Sequence, residues 1–583
     1  MGYNSAQQQA IEEAGHTLVL APPGSGKTGT LVGKCVHIIR QSPNTKVALM
    51  TFTAAATQEL QERVAKALTK SEMSRVDIGT FHHFCMDMLA KAKLLGKLLP
   101  PPSQPTAIRQ AMSSAAYPGK YEEAAGEIQR AKRSLDFTGR ESPLIEAYES
   151  FLRRHRASDL DDVVRIAALA LRDGRIKPLP VTHLLSDEYQ DADKTQSTFT
   201  VGHGKSGVIT TVVADDDQSI YSFRGSLGYD ALTEFETECN ATRICLEINY
   251  RSNSEILKAA EAVIINNTNR VEKNVVSHRG PGGQVYVKRV PSRPLECQAV
   301  SRILMSSMAQ DDGSVRVAEP GEWAIIARTN GAFRLLVGEL KCEGIAYYRI
   351  GGKDDLPEDA EVFMNFLNSL QTGDSIGVEA MLIRAGVNPH TAATAIASCD
   401  GHCLAFLEGI PAELDRPDPE DAKLVKEVAT RCQAWRNYLT LGHYERVIDG
   451  VAFYFLDNGL VKSSTPDEDF KFWVELLKRG RGSLTRRTER LMRKKEEKSK
   501  AGVALVTMHS SKGLEFENVI VIQANTGTIP SPNNPLVEEE RRLFFVAITR
   551  AKRHLTVMAQ RQPLGSPFVD EMERSGVVHQ LAN

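Results

Sequence analysis

Residues 21–28 have the composition and spacing of a phosphate-binding loop, with two glycines on either side of a serine, followed by a lysine and a threonine. In such a loop the backbone N–H groups surround the phosphates, Lys27 contacts the β- and γ-phosphate oxygens, and the Thr28 hydroxyl is a ligand of Mg²⁺. We therefore expect a nucleoside triphosphate to bind here. The residues expected to contact it are Gly24, Ser25, Gly26, Lys27 and Thr28.

Side chains that could complete a hydrolytic site follow two later apolar segments. Residues 181–186 lead into Asp187, which is placed to hold the Mg²⁺ ion, and Glu188, which is placed to take a proton from the attacking water. Residues 208–214 lead towards Gln218, whose amide is suited to contact the γ-phosphate or its water. A polar turn after a strand is the other explanation for Asp187 and Glu188, and the upstream loop argues against it.

Short apolar segments precede each of these groups and have the length of buried strands, whereas residues 29–39 space their apolar side chains as an amphipathic helix does. Strand, glycine-rich turn and helix form the context that a phosphate-binding loop requires. The sequence therefore predicts an α/β fold that binds its ligands at the carboxyl edge of a sheet. The segments predicted to be strands are 17–21, 46–53, 181–186 and 208–214.

The charge of the chain is nearly balanced, with 71 Lys and Arg against 73 Asp and Glu, so a site for a polyanion must be a local groove. The 583 residues predict several domains, and a hydrophobic content of 42% is sufficient for their cores. The nine cysteines lack paired spacing and are expected to be free cytosolic thiols. No apolar segment approaches the length of a membrane span, and we expect a soluble, cytoplasmic protein with no membrane partner.

Aromatic side chains near the predicted strand ends could stack on nucleic-acid bases, or could equally belong to the core. These residues are Phe52, Phe81 and His82. A second group combines aromatic rings with a cation, as surfaces that bind single strands do. It consists of Tyr221, Phe223 and Arg224. Near the N-terminus, the amide of Gln7 could hydrogen-bond both edges of an adenine, or it could lie in ordinary surface.

Ten blocks of residues follow one another in a recognisable order. In the first half of the chain they are Gln7, 26–28, 51–53, 80–82, 187–190 and 216–221. In the second half they are 249–252, 328–330 with 351–352, 506–516 and 540–551. In sequence, order and spacing these blocks resemble the motifs of the UvrD/Rep/PcrA family of superfamily 1 DNA helicases.

The resemblance implies an α/β fold with two RecA-like parallel-sheet cores of the P-loop NTPase type. Each core would carry an inserted helical subdomain, with ATP between the cores and DNA across them. The first core would comprise residues 1–85, which bind ATP, and 157–245, with its helical subdomain at 86–156. The second would comprise residues 246–373 and 501–583, with a shortened helical subdomain at 374–500.

The resemblance also implies roles for individual residues. Arg251 and Arg550 would reach the γ-phosphate from the second core, where guanidinium groups can stabilise charge on the transferring phosphoryl group. Tyr250 would stack on the base, and Glu515 would hold the ribose. The residues implied to contact DNA are Phe52, Thr80, His82, Tyr221, Phe223, Arg224 and His509.

One departure from the family pattern concerns the base. Gly29 stands where an arginine commonly stacks on the adenine. Either one face of the base has no such partner, or another residue of the same helix, Arg40 or Lys34, covers it. In the first case Gln7 would be the main determinant of base identity.

Other departures concern DNA. Phe223 replaces a tryptophan, and Ala54 and Ala55 replace an amide and a charge. Residues 354–356 replace an expected pair of phenylalanines, and residues 384–387 only faintly resemble the duplex-binding turn of the family. We therefore expect a weaker grip on DNA or low processivity.

Residues 478–500 hold eleven lysines and arginines against three glutamates. Such a segment could contact duplex phosphates near a fork. It could also be a solvated helix, or a flexible hinge that returns to the second core. The sequence leaves both interpretations open.

Together these features predict an ATP-dependent DNA helicase or translocase that uses ATP and Mg²⁺ and acts in DNA repair, replication or recombination. Movement from 3′ to 5′ on single-stranded DNA rests on the resemblance alone. The expected partners are single-stranded DNA and junctions between single- and double-stranded DNA. The alternative is a DNA-stimulated ATPase subunit of a repair or anti-phage defence complex with a separate nuclease partner, and the departures at the DNA contacts favour this alternative.

Overall fold

The fold is described from a computed structural model. It covers residues 2–94, 97–99, 103–155, 157–310, 316–351, 357–397, 403–409, 418–461, 467–492, 501–561 and 564–581. The predicted block at 354–356 and the basic residues 493–500 lie outside this set. The chain divides into two compact units: unit 1 is Met1–Gln284, Asn533–Arg553 and Glu571–Val577, and unit 2 is Val285–Pro532, His554–Asp570 and Val578–Asn583. The six segments defined from the sequence stay a prediction.

Unit 1 begins with alternating strands and helices. Its first elements are α1 (Ser5–Glu12), β1 (Thr17–Leu20), α2 (Lys27–Gln41), β2 (Val47–Thr51), α3 (Ala54–Ala67), α4 (Lys70–Met73), β3 (Val76–Thr80), α5 (Phe81–Lys91), β4 (Lys97–Leu98), α6 (Gln104–Ser114), α7 (Tyr121–Lys132), α8 (Pro143–His155) and β5 (Ala157–Ser158). Its next elements are α9 (Leu160–Arg172), β6 (His183–Ser186), α10 (Lys194–Lys205), β7 (Ile209–Ala214), α11 (Tyr229–Cys239), β8 (Thr242–Cys245), β9 (Ile248–Asn249), α12 (Ser254–Ile264) and β10 (Val276–Ser277). One-turn 3₁₀ helices follow β6 and β7, at Tyr189–Asp191, Asp216–Gln218 and Ser222–Arg224.

A six-stranded sheet in the order β3-β2-β6-β7-β1-β8 forms the centre of unit 1, and every neighbouring pair in it is parallel. Strands β1 and β2 are buried along their whole length, as expected for a parallel sheet covered on both faces. Because all six strands run the same way, their carboxyl ends lie along one edge. The segments that follow β1, β6 and β7, three neighbouring strands, therefore lie side by side.

Helices α6, α7 and α8 form a module with its own small core. Its buried side chains include Ile108, Ile128, Ile145, Tyr148 and Leu152. The ammonium group of Lys132, at the end of α7, is completely buried and lies 2.8 Å from each of three carboxylates. Two of these belong to Asp159 and Asp162 at the start of α9, so this cluster fastens the module to the helix that resumes the α/β pattern.

Unit 2 combines a second sheet with a group of helices. Its elements up to the helical group are β11 (Gln284–Val290), α13 (Arg293–Met308), β12 (Trp323–Ala327), α14 (Phe333–Glu343) and β13 (Tyr347–Ile350). The helical group contains α15 (Glu358–Thr372), α16 (Ile376–Arg384), α17 (Pro389–Ala397), α18 (Leu404–Leu407), α19 (Pro419–Thr440), α20 (Tyr444–Asp457), α21 (Asp467–Arg479) and α22 (Leu484–Met492). The remaining elements of the chain are β14 (Val503–Thr507), β15 (Phe516–Val521), α23 (Val537–Ile548, in unit 1), β16 (Ala551–Gln560), α24 (Pro567–Glu573) and β17 (Val578–Gln580).

The seven strands of the second sheet follow the order β13-β14-β12-β15-β16-β11-β17. Strands β13, β14, β12 and β15 are parallel to one another, and β17 is parallel to β11. One continuous core connects this sheet with the helical group, so these helices do not have a core of their own as α6–α8 do. Two sheets of parallel strands with helices confirm the predicted α/β fold class.

No helix in the described ranges has both the length and the apolar character required to cross a membrane.

Candidate functional site

The phosphate-binding loop lies between β1 and α2 and depends on two glycines. Gly24 and Gly26 have φ angles of 70° and 85°, in the left-handed region that favours glycine, and Gly26 is the N-cap of α2. The loop therefore presents the start of a helix, where backbone N–H groups are available to an anion. Within the described residues, the buried Ser25 hydroxyl and the Lys27 ammonium group have no hydrogen-bond partner. Buried polar atoms normally have partners, so this arrangement fits a phosphate ligand.

The two predicted acids lie at the end of β6, close to the loop. A Glu188 carboxylate oxygen is 3.7 Å from Lys27 Nζ and accepts a hydrogen bond from the Gln190 amide at 2.5 Å. Glu188 has a φ of 49°, which is uncommon for a residue other than glycine and marks local strain of the kind found at functional sites. The backbone N–H of Glu188 donates to the Asp187 carboxylate at 2.9 Å, so the two side chains are held next to each other.

The oxygen atoms of two side chains predicted to hold the metal are suitable ligands for Mg²⁺. The Asp187 carboxylate and the Thr28 hydroxyl supply oxygen ligands, which Mg²⁺ prefers. Burial raises the pKa of Asp187 to about 7, and the neighbouring Glu188 carboxylate adds to this effect, whereas Lys27 opposes it. A bound divalent cation would favour the ionised form of this carboxyl group. The residues present therefore fit the metal that the loop motif requires.

Gln218 and Arg550 are brought together although 332 positions separate them. The Gln218 carbonyl oxygen accepts from Arg550 Nη2 at 3.2 Å, and the Gln218 amide nitrogen donates to Asp215 at 2.5 Å. Arg550 is 1% exposed, and its Nε donates to the Val546 carbonyl at 2.8 Å, near the end of α23. A guanidinium group buried in this way is fixed in position and adds positive charge beside the predicted γ-phosphate contact.

Arg251, the other arginine predicted to reach the γ-phosphate, lies against Gly24 of the phosphate-binding loop. A Cβ at Gly24 would lie 2.5 Å from the Arg251 Cβ, so only glycine fits here. The Asn249 amide donates to the Pro23 carbonyl at 2.5 Å, and the backbone N–H of Tyr250 donates to the Gly24 carbonyl at 2.8 Å. Asn249 was part of a motif but had no predicted role. The structure shows it fastening this segment to the phosphate-binding loop.

The residues predicted to recognise the base surround the start of α1. Gln7 is 6% exposed, so it does not lie in ordinary surface. Its amide nitrogen donates to the Ser25 carbonyl at 3.0 Å, and its oxygen accepts from the Asn4 N–H at 3.0 Å as part of a capping box. The Asn4 amide donates to the Tyr250 hydroxyl at 2.9 Å. Gln7 thus joins α1 to the phosphate-binding loop, and its contact with a base stays a prediction.

The space beside Gly29 is open, since a Cβ there would meet nothing within 4 Å. The candidates Lys34 and Arg40 are engaged elsewhere: Lys34 Nζ donates to the Glu13 carbonyl at 2.8 Å, and Arg40 donates to the Ala67 carbonyl at 2.9 Å. Tyr3, which no sequence pattern selected, places its hydroxyl 3.4 Å from the Gly29 carbonyl. The aromatic side chain of Tyr3 therefore lies next to Gly29, the position at which the family commonly has an arginine.

The predicted DNA contacts in unit 1 differ in exposure. Phe81 is 1% exposed and belongs to the core, with the partly buried Phe52 ring packed 5.1 Å from it. Thr80 caps α5 through its side chain. Burial lowers the pKa of the half-buried His82 below its usual value. Phe223, in contrast, is 53% exposed.

The exposed aromatic group is a short, well-anchored turn. The Tyr221 and Phe223 rings are 6.1 Å apart, and the Arg224 guanidinium lies 5.3 and 5.4 Å from them. The Ser222 N–H donates to Glu539 at 2.8 Å, and Arg133, which follows α7, donates to the Arg224 carbonyl at 2.5 Å. No sequence pattern pointed to Glu539 or Arg133 as partners of this turn, because both are distant from it in the chain.

Two predicted contacts lie in unit 2. His509 begins the one-turn 3₁₀ helix His509–Ser511, which follows β14, and the exposed Glu515 directly precedes β15. Their proposed contacts with DNA and with ribose stay predictions.

Most basic residues in the described part of 478–500 bind within the protein. Arg479 forms a two-pronged pair with Glu339 at 2.9 and 3.1 Å, Arg487 donates to the Leu477 carbonyl at 3.2 Å, and Arg490 donates to the Lys341 carbonyl at 2.8 Å. These contacts favour a structural role for this part of the segment. In the faint duplex-binding turn, Arg384 likewise donates to the Leu460 carbonyl at 2.6 Å.

Two family models match the chain. The UvrD/REP helicase N-terminal domain matches residues 3–110 and 120–239, and the UvrD-like helicase C-terminal domain matches residues 244–362 and 482–562. The chain belongs to the UvrD/Rep helicase family. This confirms the resemblance inferred from the motifs, and it makes the chain an enzyme of an ATP-dependent DNA helicase family. The two matches leave residues 363–481, most of the helical group of unit 2, uncovered.

Similar proteins extend over most of the chain. The ATP-dependent DNA helicase Rep of Buchnera aphidicola is 26% identical over 95% of this chain and 94% of its own length. The corresponding Rep of Escherichia coli is 27% identical over 95% of this chain and 90% of its own length. The ATP-dependent DNA helicase PcrA of Staphylococcus aureus is 26% identical over 97% of this chain and 84% of its own length.

Proposed function

We propose that this protein is an ATP-dependent DNA helicase or translocase that moves 3′ to 5′ on single-stranded DNA in the cytoplasm, with Mg²⁺ as its metal. Repair, replication and recombination of DNA are the processes in which such an activity is used. The observation that carries the proposal is the gathering of charged groups at the phosphate-binding loop and at the end of the neighbouring strand β7. Lys27 and Glu188 lie 3.7 Å apart, Arg251 packs on Gly24, and Arg550 is bonded to Gln218.

In this proposal each group has one task in hydrolysis. Lys27 and the N–H groups at the start of α2 bind the phosphates, and Asp187 with Thr28 holds the Mg²⁺, which neutralises phosphate charge. Glu188 accepts the proton of the attacking water. Gln218, Arg251 and Arg550 recognise the γ-phosphate and stabilise the charge that develops during transfer.

The first test is ATP hydrolysis with and without single-stranded DNA. Lys27→Ala should abolish turnover, because it removes the cation that binds the phosphates. Glu188→Gln should retain nucleotide but slow turnover at least about 100-fold, as expected when a general base is lost. Glu62→Gln, on the exposed side of α3, is the matched control. A Glu188→Gln variant that hydrolyses ATP at the wild-type rate would show that the base is a different residue.

The second test measures strand displacement on 3′-tailed, 5′-tailed and blunt duplexes. Unwinding that requires a 3′ tail supports the proposed polarity, and preference for a 5′ tail contradicts it. All three substrates should be compared at one salt concentration, since DNA affinity depends strongly on salt.

A DNA-stimulated ATPase subunit of a repair or anti-phage complex is the second candidate. It is favoured by Ala54 and Ala55, which form an exposed first turn of α3 and offer DNA neither an amide nor a charge. This candidate predicts DNA-stimulated hydrolysis with little unwinding, and copurification with a nuclease. Efficient unwinding by the isolated chain would exclude it.

A further inference from the structure

Three consecutive aspartates at the end of β7 enclose a lysine from a distant segment. Asp215, Asp216 and Asp217 are each at most 3% exposed. Lys273 Nζ lies 3.1, 2.6 and 2.7 Å from their respective carboxylates. Burial opposes the charge of this lysine, but the three carboxylates outweigh burial, and the pKa of Lys273 is raised. Lys273 is therefore a buried cation inside an acidic strand end.

Two of the aspartates have a further partner from the same segment as the lysine. Arg270 forms a two-pronged ion pair with Asp217, at 3.0 and 2.9 Å. The backbone N–H of Val271 donates to Asp216 at 2.7 Å. These contacts hold the segment after α12 against the end of β7.

Asp215 has a different second partner, which belongs to the proposed hydrolytic site. One of its carboxylate oxygens accepts from Lys273 at 3.1 Å, and the other accepts from the Gln218 amide nitrogen at 2.5 Å. The Gln218 oxygen accepts from Arg550 at 3.2 Å. Because an ionised carboxylate only accepts and a guanidinium only donates, these two neighbours fix the direction in which the Gln218 amide points.

We propose that Lys273 is a positioning residue for γ-phosphate recognition, acting through Asp215 on the orientation of the Gln218 amide. The inference rests on the proposed function, in which Gln218 contacts the γ-phosphate. Lys273 supplies the opposite charge that a buried carboxylate requires. Asp215 can then hold the amide nitrogen, which leaves the amide oxygen directed at Arg550. Removing Lys273 should release this orientation and weaken the distinction between triphosphate and diphosphate.

The chain contains a matched control for this lysine. Lys132 is also buried and also lies 2.8 Å from each of three carboxylates, those of Glu149, Asp159 and Asp162. These carboxylates belong to α8 and to the start of α9, and not to the acidic segment that follows β7. Loss of Lys132 should therefore destabilise the fold to a similar degree without changing nucleotide preference.

The experiment compares two charge-balanced double variants, Lys273→Met/Asp216→Asn and Lys132→Met/Asp162→Asn. The readout is the ratio of affinities for a non-hydrolysable β,γ-imido ATP analogue and for ADP, measured by displacement of a fluorescent nucleotide, together with Tm. The Lys273 variant should lower this ratio by about tenfold, the usual value of a hydrogen bond to a charged group. The Lys132 variant should keep the wild-type ratio. Asp215→Asn, which retains Lys273, should act like the Lys273 variant and replaces it if that variant does not fold.

A double-mutant cycle with Gln218→Ala separates positioning from stability. If Lys273 acts through Gln218, its replacement should have no further effect on the affinity ratio once Gln218 is absent. A wild-type ratio in both the Lys273 variant and Asp215→Asn, or an effect that persists in the Gln218→Ala background, would overturn the inference. Either result leaves the proposed function intact, because that function has its own tests: hydrolysis by Lys27→Ala and Glu188→Gln, and strand displacement on tailed duplexes.

Discussion

Replacement of Phe223 by alanine should separate DNA binding from folding. The Phe223 ring is 53% exposed and lies on a one-turn helix that is held by backbone contacts to Glu539 and Arg133. Because the side chain contributes little to any core, its loss should leave Tm nearly unchanged. Its exposed face is available for stacking on a base.

The size of the expected effect follows from the loss of one stacking interaction. Stacking of a base on an aromatic side chain contributes about 1–3 kcal/mol, so the Kd for single-stranded DNA should rise about 5- to 150-fold. Phe81 is the matched control, because it lies at the same sheet edge but is 1% exposed and packs in the core. Phe81→Ala should instead cost about 3–5 kcal/mol of stability.

The assay is fluorescence anisotropy with a labelled oligothymidine at one fixed salt concentration, combined with thermal unfolding and ATP hydrolysis without DNA. Phe223→Ala should weaken DNA binding and strand displacement while hydrolysis without DNA stays at the wild-type rate. A Kd within about twofold of the wild type, at unchanged Tm, would refute a stacking role for Phe223.

Three further predictions concern the nucleotide site and stability. Arg251→Lys and Arg550→Lys each keep the positive charge but lose the planar guanidinium group. The kcat for ATP hydrolysis should therefore fall at least about tenfold, while the Kd for nucleotide changes less. An unchanged kcat in both variants would reject the role of these arginines at the γ-phosphate. Gly29→Arg places a cation in the open space beside the predicted base site. It should lower the KM for ATP about 2- to 30-fold without a similar change in the KM for GTP. Equal changes for both nucleotides would argue against stacking of this arginine on the base. Burial lowers the pKa of His203 to about 4, below its usual 6.5. As the pH falls from 6.5 towards 4, the unfolded chain therefore binds a proton at this histidine before the folded protein does. The free energy of unfolding should decrease over this range, by about 2 kcal/mol at pH 5. The decrease in Tm between pH 7 and pH 5 should therefore be smaller in His203→Gln than in the wild type, and an equal decrease in both proteins would contradict this account.

The residues that sequence alone identified are those whose chemistry depends on near neighbours. Gly24, Gly26 and Lys27 form a short turn whose shape is set by local backbone preferences, and Asp187 and Glu188 directly follow a strand. For such residues, a sequence pattern of a few positions is enough to predict how the side chains are placed relative to one another. The parallel sheet then brings these local patterns to one edge, which is why the fold class and the phosphate-binding loop could be predicted together.

The residues that sequence alone missed depend on contacts between distant segments. Lys273 lies 55 positions after Gln218 in the sequence. It reaches the aspartates near Gln218 only because the segment after α12 packs on the end of β7. Tyr3 is unremarkable until its hydroxyl is found next to Gly29. Phe81 shows the opposite problem: its position after a strand suited base stacking as well as the core, and only burial decided between the two.

The contact between Gly24 and the segment Asn249 to Arg251 restricts how the hydrolytic site can change. Asn249 and Tyr250 are hydrogen-bonded to the carbonyls of Pro23 and Gly24, and no side chain fits between Gly24 and Arg251. A loop that adjusts to phosphate must therefore either carry this segment with it or break both hydrogen bonds. Because Arg251 belongs to the same segment, the position of its guanidinium group depends on the conformation of the loop. Binding of phosphate to the loop and placement of Arg251, the arginine proposed to act at the γ-phosphate, are thus linked through the contact at Gly24.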